Sequence, residues 1–445
     1  MKTQLKSVSG SINAPQGFNS SGVFCDVKTI GTGKGSNKGP KRDLALIVSD
    51  TPASVAGMFT TNQICAAPVK LCVQNVANGR AQAVVVNSGN ANACTGDQGM
   101  QDAWEMADVT ARKLCLPIDD VLVGSTGRIG LPLPMPNIRS GISDAASRLD
   151  ATSKTADHTA EAIMTSDTHA KQIAVEFKLD GNPVRIGGIC KGAGMIQPGM
   201  SPTGARPASM PLHATMLAYV NTDAAIAPKA LQIALREATA SSFNCITVDG
   251  DMSTNDTVLV LANGMAGNQR ISASRLKQNP DFQKFQFALT HVCLELAKMI
   301  VRDGEGVHRV VKVIVEGAKN QKDADLAART VANSALVKTS WHGGDPNWGR
   351  IIDALGYSEA RVIEEKVDIG YRMPGKKKTV WSLKQGQPTK TSFATLCKSV
   401  EPDEFELLIH LNIGDGSSFI YAADLTEEYV DFNKGDISDP ASLGG

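Results

Sequence analysis

The sequence lacks several features that would place it in a common class of protein. Its 45 lysines and arginines balance its 45 aspartates and glutamates, so the net charge gives no reason to expect binding to nucleic acid or to an anionic membrane. None of its 9 cysteines forms a CxxC pair, which predicts unlinked thiols in a reducing, cytoplasmic setting. The first residues lack the apolar core of a signal peptide, and no apolar run is long enough to cross a bilayer.

Motifs for cofactors and metal ions are missing as well. The glycines of segment 31–36 do not complete a dinucleotide fingerprint, and Lys191-Gly192 has the wrong order for a phosphate-binding loop. The 7 histidines show no HxH or HExxH spacing, so we predict no metal site. The segment DGDMSTND at 249–256 lacks the closing glutamate of a calcium loop. We interpret it as a polar loop whose Asp and Asn side chains bond their own backbone.

Short apolar runs alternate with helical periodicities along the chain. Strands are predicted at 44–48, 83–86, 121–123, 172–177, 184–189, 257–262 and 310–315, and helices at 97–114, 155–165, 229–239, 282–299 and 323–337. Asp97 is expected to cap the first of these helices, and the residues after 360 are mostly strand-like. This alternation predicts an α/β chain of layered sheets and helices, without a linker between two autonomous domains.

The segment around Thr215 allows two interpretations. A threonine between Ala214 and an apolar run is ordinarily a helix cap or a strand residue. Alternatively, the Thr215 hydroxyl attacks the carbonyl of Ala214, the peptide bond breaks, and Thr215 gains an α-amine that titrates at about pH 8. That amine can act as the base for its own hydroxyl. Spacing alone does not decide between the two, and His213 is interpreted as a loop histidine without a special role.

The segment Asp303-Gly304-Glu305-Gly306 also allows two interpretations. It follows a long apolar helix, so its glycines can simply end that helix. A carboxylate set between two glycines can equally well meet a cationic group of a substrate.

Eight short motifs follow one another along nearly the whole chain. They are MFTTN at 58–62, NSGNANACTG at 87–96, STG at 125–127, KGAGMI at 191–196, ATML at 214–217, ITVDGD at 246–251, DGEG at 303–306 and DPNWGRI at 345–351. In this set and order the chain resembles the ornithine acetyltransferase family, the bifunctional glutamate N-acetyltransferases of arginine biosynthesis. Each motif is weak alone, but chance resemblance of all eight is negligible.

The resemblance implies a fold, a processing event and an activity. The fold is the layered α/β fold of this family, self-cleaved between Ala214 and Thr215 into an α chain of 1–214 and a β chain of 215–445. The two chains are intertwined and assemble as an α2β2 heterotetramer. Thr215 takes the acetyl group from N-acetylornithine as an ester and passes it to glutamate. Acetyl-CoA stays open as a second acetyl donor.

The resemblance also implies roles for individual residues. Thr126 and Gly127 match the oxyanion hole, whose donors stabilise the negative oxygen of a tetrahedral intermediate. The positions that match substrate-binding residues are Thr168, Lys191, Thr215, Glu305, Asn433 and Ser438. A lysine suits a carboxylate, and Glu305 suits the ammonium group of the substrate. Neither a metal ion nor an organic cofactor is expected, because the acyl-enzyme itself stores the acetyl group.

The chain departs from the family pattern at three places. Lys191 and Thr215 are 24 positions apart (215 − 191), so residues 201–213 form an insertion just before the scissile bond. Ser438 stands where the family has a threonine, and Arg128 follows the oxyanion turn where an aliphatic residue is usual. These departures leave the effect on cleavage and specificity open.

Two other functions fit some of the same residues. One is an N-terminal-nucleophile amidohydrolase or aminopeptidase, which the matches at Lys191 and Glu305 disfavour. The other is a non-catalytic paralogue that binds an amino acid or a partner protein, and the three departures are its only support.

Overall fold

The computed structural model describes residues 3–28, 41–205 and 216–434. They form two compact units: a larger one whose described residues are 3–28, 41–205, 216–244 and 251–300, and a smaller one of 245–250 and 301–434. The boundary at 300–301 falls inside a helix, so no change of composition along the chain marks the division into two units. His213, Ala214, Thr215 and Ser438, with most of the predicted insertion at 201–213, lie outside the described residues.

Strands and helices alternate through the described residues. The strands are β1 Lys6–Ser7, β2 Phe18–Val23, β3 Leu44–Thr60, β4 Arg80–Asn90, β5 Val121–Arg128, β6 Lys171–Leu179, β7 Asn182–Lys191, β8 Met200–Ser201, β9 Leu217–Thr222, β10 Ile246–Thr247, β11 Thr257–Ala262, β12 Val310–Ala318, β13 Asp368–Arg372, β14 Val380–Lys384, β15 Gln387–Pro388, β16 Glu404–His410 and β17 Gly416–Ala423. The helices are α1 Ala67–Val76, α2 Gly96–Leu114, α3 Met135–Ser147, α4 Ser153–Ala162, α5 Pro228–Ala240, α6 Pro280–Arg302, α7 Gln321–Asn333, α8 Ala335–His342, α9 Trp348–Gly356, α10 Phe393–Val400 and α11 Glu427–Phe432. No helix in these ranges is both long and apolar enough to span a membrane.

The predicted strands and helices are confirmed, with three corrections of detail. Strand β3 continues to Thr60 instead of ending near residue 48. The N-cap of α2 is Thr95, whereas Asp97 lies in the first helical turn, where a negative charge favours the helix dipole. The single helix expected over 323–337 is two helices, because the Ser334 side chain accepts the N–H of Val337 and starts α8 there.

The larger unit is built on one extensively paired sheet. Its strand order is β1-β6-β7-β9-β11-β3-β4-β5, and β2 and β8 also pair with β3. Strands β4 and β5 are parallel, as are β9 and β11, while β6 and β7 form the predicted hairpin. Asp180 and Gly181 at the tip of that hairpin have φ values of 48° and 79°, the left-handed conformation that such a turn requires.

Strand β5 at one end of this sheet packs against strand β9 in its middle. A Cβ atom on Gly124 of β5 would lie 2.1 Å from the hydroxyl oxygen of Tyr219 on β9, so β5 lies directly against β9. Leu122 and Tyr219 share one buried core, whereas Val85 and Val123, on the opposite face of their strands, pack with α2 and α3. This arrangement confirms the predicted layers of sheets and helices.

The smaller unit has its own sheet and core. The strand order is β10-β17-β12-β16-β13-β14-β15, with β12 paired parallel to β16 and antiparallel to β17. The core contains Val313 of β12, Ala328 of α7 and Trp341 of α8, all buried. Helix α11 follows the last strand of this sheet and carries Asn433 at its C-terminal end.

Candidate active site

The predicted oxyanion turn lies where two parallel strands end. Ser88 of β4 pairs with Thr126 of β5, and Gly89 pairs with Gly127. Gly127 has a φ of 124°, and a Cβ atom there would lie 2.2 Å from the carbonyl oxygen of Gly89. No residue other than glycine fits this position, because both the backbone conformation and the close strand contact exclude a side chain.

Polar side chains fix the backbone on both sides of that turn. The Ser125 hydroxyl donates to Asn87 Oδ1 at 2.6 Å, and Asn87 Nδ2 donates to the carbonyl of Asn90 at 2.9 Å. These residues are fully or almost fully buried. Because buried donors and acceptors are satisfied within the protein, the turn is held rigid before any ligand binds.

Asn255 and Asp256 bond backbone far away in the sequence. Asn255 Nδ2 donates to the carbonyls of Ala91 and Ser125, at 2.7 and 2.8 Å. The carboxylate Oδ1 of Asp256 accepts the N–H of Met216. The expectation that the Asp and Asn side chains of 249–256 bond their own backbone is therefore wrong for these two. They join the oxyanion turn to the start of β9.

Asp256 lies at the closely paired starts of β9 and β11. The Thr257 N–H donates to the carbonyl of Met216 at 3.0 Å, so backbone and side chain of this loop hold Met216 from both sides. Asp256 is 0% exposed, and its Oδ2 has no hydrogen-bond partner among the described residues. Burial raises the pKa of Asp256 well above its usual value, although the N–H of Met216 and the charge of Lys191 oppose the rise.

Lys191, a predicted substrate-binding residue, ends β7 beside the same place. It pairs with Leu217, the first residue of β9, and it is 3% exposed. Asp167 Oδ1 accepts the N–H of Gly192 at 2.7 Å, which holds the loop before β6 against the end of β7. Thr168, the next predicted binding residue, is exposed and follows Asp167 in that loop.

Asp167 is the centre of a buried charge cluster. Its Oδ1 also accepts Lys171 Nζ at 2.6 Å, its Oδ2 accepts the N–H of Thr165 at 2.9 Å, and the side chains of Asp167 and Lys171 are both 0% exposed. Burial alone would raise the pKa of Asp167, but the charges of Lys171 and Lys191 outweigh burial and hold the pKa below its usual range. The two lysine charges therefore keep the buried carboxyl group of Asp167 ionised.

The smaller unit brings Glu305 and Asn433 together. Asn433 Nδ2 donates to Glu305 Oε2 at 3.1 Å and to the carbonyl of Tyr429 at 2.9 Å. Gly306 has a φ of 65°, and a Cβ atom there would lie 2.4 Å from the nitrogen of Tyr429. The Thr426 hydroxyl donates to the carbonyl of Gly306 at 2.7 Å. The glycine is therefore required by the close approach of α11, which places a half-buried carboxylate beside an exposed amide.

A buried lysine supports the same unit. Lys338, 4% exposed, donates from Nζ to the carbonyl of Val248 at 2.7 Å and to the carbonyl of Ala423. Burial lowers the pKa of Lys338 to about 8, against the opposing effect of Asp249 and Asp424. Lys338 thus ties the strand that precedes Asp249 to the end of β17, from which α11 follows.

Asp424 anchors the chain that leads away from Glu305. Its Oδ1 accepts the N–H groups of His308 and Arg309, both at 3.0 Å, and its Oδ2 lies 3.2 Å from Nδ1 of His342. The segment after the DGEG motif is therefore fixed by a buried carboxylate, as the segment after residue 215 is in the larger unit.

The structure groups the predicted site residues in two sets. Thr126, Gly127, Thr168 and Lys191 belong to the larger unit, and Glu305 and Asn433 to the smaller one. Their catalytic and binding roles stay predictions, and Ala214, Thr215 and Ser438 lie outside the described ranges.

Sequence reasoning missed three residues that hold these groups in place, namely Asp167, Asn255 and Asp256. The available signal was the run Ser253-Thr254-Asn255-Asp256 directly before an apolar strand, since a similar polar run, residues 87–90, ends β4. Arg128, the departure beside the oxyanion turn, ends β5 and is 7% exposed.

Potential metal ligands do not cluster in the described ranges. Within 3–28, 41–205 and 216–434, no group of three or more His, Cys, Asp or Glu side chains could hold a metal ion. The absence of a required cofactor stays a prediction.

Comparison with known proteins gives consistent matches over nearly the whole chain. A model of the ArgJ family matches residues 27–435. The arginine biosynthesis bifunctional protein ArgJ of Symbiobacterium thermophilum is 43% identical over 426 residues, which cover 96% of this chain and 98% of the relative. The protein of the same name from Geobacter sulfurreducens is 44% identical over 421 residues, 94% of this chain and 98% of the relative.

One similar solved structure is that of an ornithine acetyltransferase from Mycobacterium tuberculosis in complex with ornithine. It is 34% identical in sequence and has a TM-score of 0.40, and the match covers 45% of this chain and 100% of that chain.

Proposed function

The chain belongs to the ArgJ family, and from this premise we propose that it transfers the acetyl group of N-acetylornithine to glutamate in arginine biosynthesis, through an ester on Thr215. The chain first cleaves itself between Ala214 and Thr215, giving an α chain of 1–214 and a β chain of 215–445. The observation that carries this proposal is the pair Asn255 and Asp256, which hold Ser125 and Met216, the neighbours of the oxyanion turn and of the nucleophile.

The reaction has two balanced half-steps. In the first, the Thr215 hydroxyl oxygen attacks the acetyl carbonyl carbon while the α-amine of Thr215 takes the hydroxyl proton. The C–N bond of N-acetylornithine then breaks, and ornithine leaves with that proton on its amine. In the second, the amine of glutamate attacks the ester carbon, the C–O bond breaks, and Thr215 regains its proton.

Thr126 and Gly127 supply the donors for the oxyanion in both half-steps. A donor of this kind is worth about 10²–10³ in kcat when it is fixed in advance. Rigid support for the turn comes from the buried hydrogen bonds at Ser125 and from the close contact between Gly127 and Gly89.

The substrate is bound by charges of both signs. Lys191, in the lysine-rich cluster around Asp167, meets a substrate carboxylate, and Thr168 lies beside it in the loop that Asp167 holds. Glu305, with Asn433 as its hydrogen-bond partner, meets a substrate ammonium group, and Ser438 contributes a hydroxyl. No metal ion or organic cofactor takes part, because the ester stores the acetyl group.

The cellular setting belongs to the same proposal. The enzyme acts in the cytoplasm as an α2β2 heterotetramer, and acetyl-CoA is a candidate second donor for glutamate. A coupled assay with acetyl-CoA as the sole donor decides the latter point: N-acetylglutamate without N-acetylornithine establishes the second activity.

Steady-state kinetics test the acetyl-enzyme. With N-acetylornithine and glutamate varied together, an acetyl-enzyme predicts parallel lines in double-reciprocal plots, because each product leaves before the next substrate binds. Intersecting lines, which require a ternary complex, would contradict the proposal. Release of free acetate without preference for glutamate would instead indicate the amidohydrolase.

Matched threonine variants locate the nucleophile. Thr215→Ala should give one uncut chain and no acetyl transfer. Thr203→Ala changes an exposed threonine just before the undescribed segment and should leave two fragments and normal turnover. Substrate binding by cleaved wild-type protein without any turnover would favour the non-catalytic paralogue.

A further inference from the structure

The carboxyl group of Asp256 binds the first described residue after the scissile bond. Its Oδ1 accepts the N–H of Met216, and the carbonyl of Met216 accepts the N–H of Thr257 at 3.0 Å. The carbonyl of Asp256 accepts the N–H of Thr60 at 2.8 Å, so the end of β3 supports the same loop. Asp256 is thus fixed directly against the peptide nitrogen that joins residue 215 to β9.

The second oxygen of this carboxyl group is unused within the described residues. Asp256 Oδ2 is buried and has no hydrogen-bond partner there, although a buried polar atom left unpaired destabilises the fold. Asp223, just after the other end of β9, provides the contrast. Its Oδ1 accepts the N–H of Arg185 at 2.8 Å and its Oδ2 accepts the N–H of Gln16 at 3.0 Å. Both carboxyl oxygens of Asp223 accept hydrogen bonds, whereas among the described residues only one carboxyl oxygen of Asp256 does so.

Self-cleavage creates a need for such a group. In the mature enzyme the α-amine of Thr215 can take the hydroxyl proton, but before cleavage the nitrogen of Thr215 is an amide and is not a base. The uncut chain must therefore use another group for the first proton transfer. A buried carboxyl group near the reacting residue is suited to this role, because burial raises its pKa and so makes its ionised form a stronger base.

We propose that Asp256 is the proton acceptor for self-cleavage between Ala214 and Thr215. The inference rests on the proposed function, because it assumes that cleavage occurs there. Residue 215 is joined to Met216 by one peptide bond, so its hydroxyl is only a few covalent bonds from the nitrogen that Asp256 binds. Lys191, which acts electrostatically on Asp256, favours the ionised form that can accept a proton.

The step balances in atoms and protons. Asp256 Oδ2 takes the proton of the Thr215 hydroxyl as the oxygen attacks the carbonyl carbon of Ala214. The C–N bond of the peptide breaks, the leaving nitrogen takes the proton from Asp256, and an ester joins the two chains. Water then hydrolyses the ester, which frees the carboxyl group of Ala214 and restores the hydroxyl. Asp256 ends in its starting state.

Cell-free synthesis with a time course of fragment formation tests this role. Asp256→Asn keeps an oxygen that can accept the N–H of Met216 but cannot take a proton, so its cleavage should be about 10²-fold slower or more. Asp223→Asn makes the same change at the opposite end of β9 and should cleave at the wild-type rate. Cleavage of Asp256→Asn at the wild-type rate would overturn the inference.

A pH profile separates proton transfer from a purely structural effect. Freshly made wild-type chain, diluted into buffers of increasing pH, should cleave faster until the carboxyl group is fully ionised and then reach a plateau. Asp256→Asn should lack that inflection. An unchanged inflection in the variant would assign the pH dependence to another group and overturn the inference.

Uncleavable chains provide the folding control. Thr215→Ala and Thr215→Ala/Asp256→Asn should melt within a few degrees of each other, which shows that a slow variant is folded. The wild-type lane separates the two proposals. A single uncut wild-type chain would contradict the proposed function itself, whereas cleavage of wild type and Asp256→Asn at the same rate would contradict only the role of Asp256.

Discussion

The larger unit buries the charges of its candidate site, whereas the smaller unit leaves those of its own site within reach of solvent. Asp167 and Lys171 are 0% exposed and bonded to each other and to backbone. Glu305 is half-buried, and its partner Asn433 is exposed. A buried charge needs an opposite charge in the folded protein, because it has lost its contact with water. Water stabilises an exposed charge, which therefore needs no protein partner before a ligand binds. We therefore expect substitutions in the larger unit to affect folding and turnover, and those in the smaller unit to affect substrate binding.

The largest effect is expected at Asp167. Asp167→Asn leaves the ammonium of Lys171 buried without a counter-charge and should lower the free energy of unfolding by about 3–5 kcal/mol, measured by denaturant titration. Because the folded pKa of Asp167 is lowered, its stabilising effect is complete above the unfolded pKa of about 3.9 and is lost as the pH falls through the folded value. The difference between wild type and variant should therefore shrink in acid.

Two further variants test whether the loss of stability comes from the unpaired charge of Lys171. Asp180→Asn changes an exposed hairpin residue whose φ of 48° an asparagine tolerates, and it should have little effect. Asp167→Asn/Lys171→Met removes both charges and should recover most of the lost stability. Equal stability of wild type and the single Asp167 variant would break the contrast between the two units.

The second effect concerns turnover. Gly127→Ala places a Cβ atom 2.2 Å from the carbonyl oxygen of Gly89, so the strands must separate and the proposed oxyanion donors must move. We expect kcat for acetyl transfer to fall by about 10²–10³. Gly130→Ala is the control, since Gly130 also has a positive φ, 84°, but no atom lies within 4 Å of its added Cβ. Equal losses in both variants would point to backbone strain instead of displaced donors.

A smaller effect is expected on binding in the smaller unit. Glu305→Gln removes the charge without changing the shape, and it should raise the KM for N-acetylornithine about 5-fold, the value of an exposed charge pair near 1 kcal/mol. The change in kcat should stay below about 3-fold. Glu427→Gln, an exposed change in the first turn of α11, should leave KM unaltered. A fall in kcat that exceeds the rise in KM would place Glu305 in the chemistry.

A pH dependence of stability is also expected in the smaller unit. Because burial lowers the pKa of Lys338 from 10.5 to about 8, the folded state binds fewer protons than the unfolded state between these values. The free energy of unfolding should rise with pH across this window, by at most about 1.4 kcal/mol per pH unit. Lys338→Met should remove the rise, whereas Lys322→Met on the exposed face of α7 should keep it. A rise that persists in Lys338→Met would assign it to another group.

The sequence revealed secondary structure and family better than the division into two units. Local patterns predicted seven strands and five helices with their approximate bounds, because features such as the apolar periodicity of α6 and the Asp-Gly turn between β6 and β7 depend on neighbouring residues. The family was recognised from eight motifs, and the matches over residues 27–435 confirm it. The division into two units was not visible, because its boundary lies inside a continuous helix.

The supporting residues of the site were beyond local reasoning. Asn255 and Asp256 bond Ser125 and Met216, 130 and 40 positions away, and no spacing rule connects such partners. The polar run that contains them was interpreted as a self-contained loop, although its position directly before β11 resembled that of a site loop. Asp167 was missed for the same reason, since its contact with Gly192 spans 25 positions.

Intact-mass spectrometry of the purified protein tests the central claim most directly, alone and after brief exposure to N-acetylornithine without glutamate. The account predicts two chains with the masses of 1–214 and 215–445, and a second form of the β chain that is heavier by one acetyl group. Addition of glutamate should return it to the unmodified mass. An active protein that shows a single uncut chain, or an acetyl group that never appears on the β chain, would contradict the account.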